Sequence, residues 1–140
     1  SEHPDVAASH VNIGTVYKDQ GKYEEALVEM KKGLDVLVAV HGPDHPKVAA
    51  SSLNIGAVYG QKGDLENALL QFKKALEVFL AVYGQEHTSV AHSYNNMGNV
   101  YRSLGKAKEA REMFTKTYSI FLKVLGPDHP QTQKAKSDLD

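Results

Sequence analysis

The sequence predicts an all-α fold, an α-solenoid of three helix–turn–helix repeats followed by a short C-terminal capping helix, and three observations carry that prediction. The chain repeats itself: residues 1–42 laid over 43–84 match at 22 positions, and 43–84 over 85–126 match at 16. Within each repeat the apolar residues recur with a 3.6-residue period, twice. A fixed turn separates the repeats, "GPDHP" at 42–46 and 126–130 with the degraded copy "GQEHT" at 84–88. Residues 1–140 are therefore expected to form one domain: repeats 1–42, 43–84 and 85–126, then 127–140 as a cap or the beginning of a fourth unit.

The first helix of repeat 1 places Val6, His10, Ile13, Gly14 and Tyr17 on one face. Gly21 supplies the left-handed residue that ends it, as Gly63 and Gly105 do in the later repeats. In the second helix Tyr23, Ala26, Leu27, Met30, Leu34 and Leu37 form the apolar stripe, while Glu24, Glu25, Lys31, Lys32 and Asp35 fall largely opposite. Gly42 closes that helix and Pro43 prevents its continuation. Repeats 2 and 3 follow the same plan. Gly14, Gly56 and Gly98 stand in mid-helix, where each costs about 1 kcal/mol relative to alanine. That cost is expected to allow another backbone to approach, with Ala26, Ala68 and Ala110 as the facing small residues. Tyr17, Tyr59 and Tyr101 are expected to fill the space between adjacent repeats.

His3, His45, His87 and His129 recur every 42 residues. A residue before proline is pushed into extended backbone, the shape of a helix N-cap, so His45, before Pro46, is expected at or beside the cap, with its ring able to accept an amide hydrogen or to pack on the neighbouring helix. His41 and His45 are four apart but straddle a Gly-Pro turn, so the two-histidine zinc spacing of a continuous helix is missing, and no cysteine or carboxylate set completes a site. No metal is expected.

The segments "NIGTVYKDQGKYEEA" (12–26), "NIGAVYGQKGDLENA" (54–68) and "NMGNVYRSLGKAKEA" (96–110) resemble the core of tetratricopeptide (TPR) repeats. Phe72 and Phe114, with Met30 in repeat 1, occupy the family's aromatic position on the second helix. The family's closing proline is absent at Val38, Leu80 and Leu122. The second helix runs on by about two turns instead, and the resulting 42-residue unit with its "HP-x-VA" joint is similar to the repeats of kinesin light chains. The resemblance spans all three repeats.

Stacked helix pairs of this kind twist into a right-handed superhelix lined by the first helices. The resemblance implies that this inner face binds extended peptide segments. Projected onto the sequence, the groove comprises Val11, Asn12, Thr15 and Lys18 from repeat 1, with Ala8 and Asp19 beside them. Repeat 2 contributes Leu53, Asn54, Ala57 and Gln61, with Ala50 and Gly60. Repeat 3 contributes His92, Asn95, Asn96, Asn99 and Arg102, with Ser103. Asn12, Asn54 and Asn96 recur at one position, and a carboxamide can both donate to and accept from a passing peptide backbone. Bonding to a neighbouring helix is the other use such a side chain has. TPR domains that hold chaperone C-terminal tails use a carboxylate clamp whose positions match Val11, Thr15, Asn54, His92 and Asn96; only Asn54 fits, so a chaperone-tail receptor is not expected.

Sixteen basic and seventeen acidic residues leave a net charge of −1, which provides no footprint for nucleic acid, and no basic amphipathic stretch suggests a membrane surface. The N-terminal residues lack a signal-peptide pattern and no apolar run is long enough to span a bilayer. Without cysteine there is no disulfide or thiolate chemistry, and a cytoplasmic location is expected. No catalytic constellation, cofactor motif or phosphate loop can be assembled; "GQKGD" (60–64) is a repeat turn. The expectation is a non-catalytic, cargo-adaptor-like scaffold for a protein or peptide partner. The alternative is a structural solenoid that forms weak homo-oligomers through its end helices.

Overall fold

The structure is a computed structural model that describes residues 4–140; His3 lies outside the described residues. Among these residues there are seven α-helices and no strand: α1 (Pro4–Asp19), α2 (Tyr23–His41), α3 (Pro46–Lys62), α4 (Leu65–Tyr83), α5 (Thr88–Ser103), α6 (Ala107–Leu125) and α7 (Pro130–Leu139). The helix pairs appear where the two periodic stripes of each repeat place them, in an all-α helical-repeat fold. Two compact units, Ser1–Val78 and Phe79–Asp140, divide the chain within α4.

In the first unit α1 packs on α2, and α2 on α3. The stripe read from the sequence becomes the core: Ala26, Leu27 and Met30 of α2 are buried with Ile55 and Val58 of α3, and Tyr17, Tyr23, Leu34 and Tyr59 pack around them. Burying each of the two β-branched side chains of α3 is worth roughly 1.5–3 kcal/mol. Tyr17 and Tyr59 thus sit where repeats 1 and 2 meet. In the second unit α6 packs against both α5 and α7, with Ala91, Phe121 and Ala135 buried at its centre.

The turn inside each repeat closes on backbone hydrogen bonds, joined in repeat 2 by the Asp64 carboxylate, which accepts the Asn67 amide at 3.3 Å. The Lys22 amide donates to the Tyr17 carbonyl at 2.8 Å and the Gly21 amide to Lys18 at 2.9 Å, which satisfies carbonyls that the end of α1 would leave orphaned. Asp64 with Tyr59 and Lys106 with Tyr101 repeat the first of these bonds at 2.9 and 2.8 Å. The turn between repeats uses the histidines instead. Gly42, at φ 86°, ends α2 in the left-handed region, and His45 then caps α3, its Nδ1 accepting the Lys47 amide at 3.1 Å. His87 does the same for the Ser89 amide at 3.0 Å, and His129 for Gln131 at 3.1 Å. The joint is tightened by ring stacking. His41 and His45 lie face to face at 4.2 Å, and Tyr83 and His87, one repeat later, at 3.9 Å.

The mid-helix glycines require a correction. A Cβ at Gly56 would stand 2.6 Å from Cε1 of Phe72, and one at Gly98 would stand 2.6 Å from Cε1 of Phe114. The nearest group at both positions is therefore a phenyl ring from the second helix. Gly14 faces Met30 Cγ at 2.7 Å and, as expected from the sequence, the backbone carbonyl of Ala26 at 3.2 Å. The physical reason is side-chain volume: the aromatic ring of the second helix reaches across and needs the whole width that glycine leaves.

Candidate functional site

In the first unit α1 and α3 run past one another with a cleft of about 330 Å³ between them. Ala7, Ala8, Val11 and Ala50 make its walls apolar and shallow, and Leu37 of α2 closes it. Asn12 and Asn54 supply amide groups, and Lys47 brings the single charge. Small residues at 8 and 50 keep the two helices from filling the space themselves. Asn12 and Asn54 are both exposed, so their carboxamides face solvent and are not buried between hairpins. Of the predicted groove residues in this unit, Val11, Asn12 and Asn54 come together at the cleft. Thr15, Lys18, Leu53, Ala57 and Gln61 do not line it. Thr15 turns its hydroxyl back to the Val11 carbonyl at 2.9 Å, and Leu53 and Ala57 are half-buried.

The second unit contains the same cleft at the same positions, now between α5 and α7. Every 84 residues the alignment pairs Ala8 with His92, Val11 with Asn95, Leu37 with Phe121 and Ala50 with Lys134. The larger side chains shrink it to about 100 Å³. His92 stands edge-on to the Phe121 ring at 5.4 Å, and desolvation there holds its imidazole below the ordinary value of 6.5. Lys134 and Asp138 pair at 3.3 Å along α7. Of the predicted residues, His92 and Asn95 line this cleft. Asn96 is half-buried. Asn99 and Arg102 are engaged with each other, the guanidinium donating to Asn99 Oδ1 at 2.9 Å and lying 5.3 Å from the Phe114 ring centre.

Leu37, Lys47 and Ser51 were not among the predicted groove residues, nor were the second-unit wall residues Gln131, Lys134 and Asp138. Their signal was present: residues 130–138 align with 46–54, so α7 supplies a wall wherever α3 does. Among the described residues no three His, Asp or Glu side chains converge as metal ligands.

The tetratricopeptide repeat family matches residues 5–81, 54–123 and 89–139, and the chain belongs to that family. No curated protein sequence matches it. Among solved structures it is similar to BtubC (BKLC) from P. vanneervenii, with a TM-score of 0.87 and 22% identity over 99% of this chain and 56% of that one. A Podosopora anserina protein described as a kinesin light chain with nearly identical TPR-like repeats gives 0.86 and 22%, covering 99% and 66%. The N-terminal domain of stress-induced protein-1 from C. elegans gives 0.70 and 20%, covering 98% and 97%. The chain thus spans between about half and two thirds of the first two, whose fold it shares. Tetratricopeptide repeats generally mediate protein–protein interaction. No helix among the described residues is long and apolar enough to cross a membrane.

Proposed function

We propose that residues 1–140 act as one non-catalytic scaffold domain of cytoplasmic type, in which the first helices of the repeats hold an extended peptide segment of a partner protein. The observation that carries this reading is the α1/α3 cleft, an apolar trough of alanine, valine and leucine flanked by the exposed carboxamides of Asn12 and Asn54. A peptide strand has unpaired N–H and C=O groups along its length, and the amides can satisfy both kinds while the trough takes a side chain. The groove set is then Val11, Asn12 and Asn54 in the first unit and His92 and Asn95 in the second. A peptide-array screen with the wild type and an Asn54→Ala/Asn95→Ala double variant tests it. Loss of the bound spots supports the reading, and binding at full strength in the double variant moves the site elsewhere.

A second reading, self-association through an end helix, rests on a separate observation. Ile55 and Val58 on α3 are 1% and 0% exposed beneath α2, whereas their counterparts Ile13 and Val16 on α1 are 46% and 55% exposed. A second copy covering that face would remove apolar area from water. Light scattering over a concentration series decides between them: a constant monomer mass rejects self-association, and a mass that rises with concentration and is lost in Ile13→Ser/Val16→Ser supports it.

A further inference from the structure

The back of the third repeat lacks the carboxylate that the corresponding lysine of repeat 1 pairs with. In repeat 1, Glu29 takes His10 Nδ1 on one oxygen at 2.8 Å and Lys32 Nζ on the other at 3.4 Å. The hydrogen bond from His10, with help from Lys32, holds the Glu29 carboxyl below its ordinary value, so this anion is bound as an anion. Asp35 follows on the same helix. In repeat 3 the corresponding residues are Tyr94 for His10, Met113 for Glu29, Lys116 for Lys32 and Ser119 for Asp35, and a second lysine, Lys123, replaces Ala39. The lysine is retained while both acids are gone.

These substitutions leave a cleft of about 370 Å³, bounded by α5, α6 and residues 85–86. Lys116 reaches over the Tyr94 ring, 5.1 Å from its centre, and has no carboxylate at ion-pair distance among the described residues. Glu112, one turn earlier on α6, does not reach it. The hydroxyls of Tyr94 and Ser119 line the same space, that of Thr115 donates to the Arg111 carbonyl at 2.8 Å, and Ile120 adds an apolar surface. Lys123 is paired with Glu86 at 2.5 Å, so one of the two cations is internally neutralised and the other is not. A cleft of this size takes a ligand of about one ring. An ammonium held by a ring face, hydroxyl donors around it and no internal counter-ion together favour a negative group.

We propose that this cleft binds a small organic oxyanion, a carboxylate or phosphate joined to a compact apolar body, with Lys116 as the principal cation in the role that Lys32 plays toward Glu29. The anionic group lies against Lys116 and Ser119, and the apolar body against Ile120 and the Tyr94 ring. The proposal stands apart from the peptide-binding reading, because none of these residues belongs to the first-helix clefts.

Backbone amide NMR titrations of the whole chain with benzoate, phenyl phosphate and the neutral benzyl alcohol, at matched ionic strength, test it. Saturable shifts at Tyr94, Thr115, Lys116 and Ser119 are expected with an anion and not with the alcohol. Response to both anions assigns a general oxyanion site; response to phenyl phosphate alone assigns a phosphate site. Lys116→Gln is expected to weaken binding at least about tenfold, as the loss of a charged hydrogen-bond partner does. Met113→Glu, which restores the internal partner seen in repeat 1, is expected to abolish it while leaving the circular dichroism spectrum unchanged. Equal binding of benzyl alcohol, absence of saturation by about 50 mM, a range that covers the millimolar affinities of fragment-sized ligands, or unaltered binding in Met113→Glu would each overturn the proposal.

Discussion

Two glycines one turn apart on α3 should respond to the same substitution with opposite signs. At Gly56 a new Cβ would lie 2.6, 2.8 and 3.1 Å from three ring atoms of Phe72, and that ring is itself buried. A phenyl ring cannot fold away as a methionine can, so ring or helix must shift by about 1 Å to restore carbon–carbon contact at 3.5–4.0 Å. Overpacking of this kind costs about 1–3 kcal/mol, against a helix-propensity gain of about 1 kcal/mol for alanine over glycine. Gly56→Ala should therefore be destabilising by up to about 2 kcal/mol. At Gly60 the nearest atom is the Ala68 Cβ at 4.0 Å, an ordinary contact, so Gly60→Ala should keep most of the propensity gain and stabilise by about 0.5–1 kcal/mol. Urea unfolding followed by circular dichroism measures both. Phe72→Leu in the Gly56→Ala background should return part of the loss, since the two residues are in contact and their effects are not additive. If Gly56→Ala proves as stable as Gly60→Ala, the steric account of the mid-helix glycines is wrong.

Three further outcomes follow from named contacts. His45→Ala removes the acceptor of the Lys47 amide and should cost about 1 kcal/mol, while His45→Ser, with an alternative cap oxygen, should restore most of it in the same unfolding assay. Burial, with smaller contributions from His45 and Lys47, holds His41 below its ordinary value of 6.5, and its Nε2 is buried without a partner. The unfolded chain then binds more protons than the folded one near that pH, so the stability His41 confers is complete above about pH 6.5 and is lost as pH falls through the lower folded value. His41→Tyr, which copies the Tyr83–His87 joint, should flatten the dependence of the urea midpoint between about pH 7.5 and 5.5; an equal acid loss in wild type and variant would refute this. Thr132 is buried and its hydroxyl donates to the Phe121 carbonyl at 3.1 Å, so Thr132→Val should lower stability by roughly 1 kcal/mol, read as faster amide exchange in α7.

Much of this molecule is periodic, and whatever is periodic could be read without coordinates. The 42-residue repetition, the two stripes per repeat and the Gly-Pro-Asp-His-Pro joint determine helix number, helix ends and the capping histidines, because each depends on residues within a few positions of one another. The family followed from the same local pattern. Other features are decided by contacts between residues far apart in sequence. Phe72, sixteen residues beyond Gly56, claims the space that local reasoning assigned to a backbone. Identical positions on first helices make an open trough at Ala8 and Ala50 and a nearly closed one at His92 and Lys134, because side chains from two or three helices compete for one volume. Asn99 and Arg102, both suited to a ligand by type, are instead engaged with each other. Pattern in a chain specifies which face of a helix is apolar; which neighbour meets that face, and how much room is left, is settled only when the helices pack.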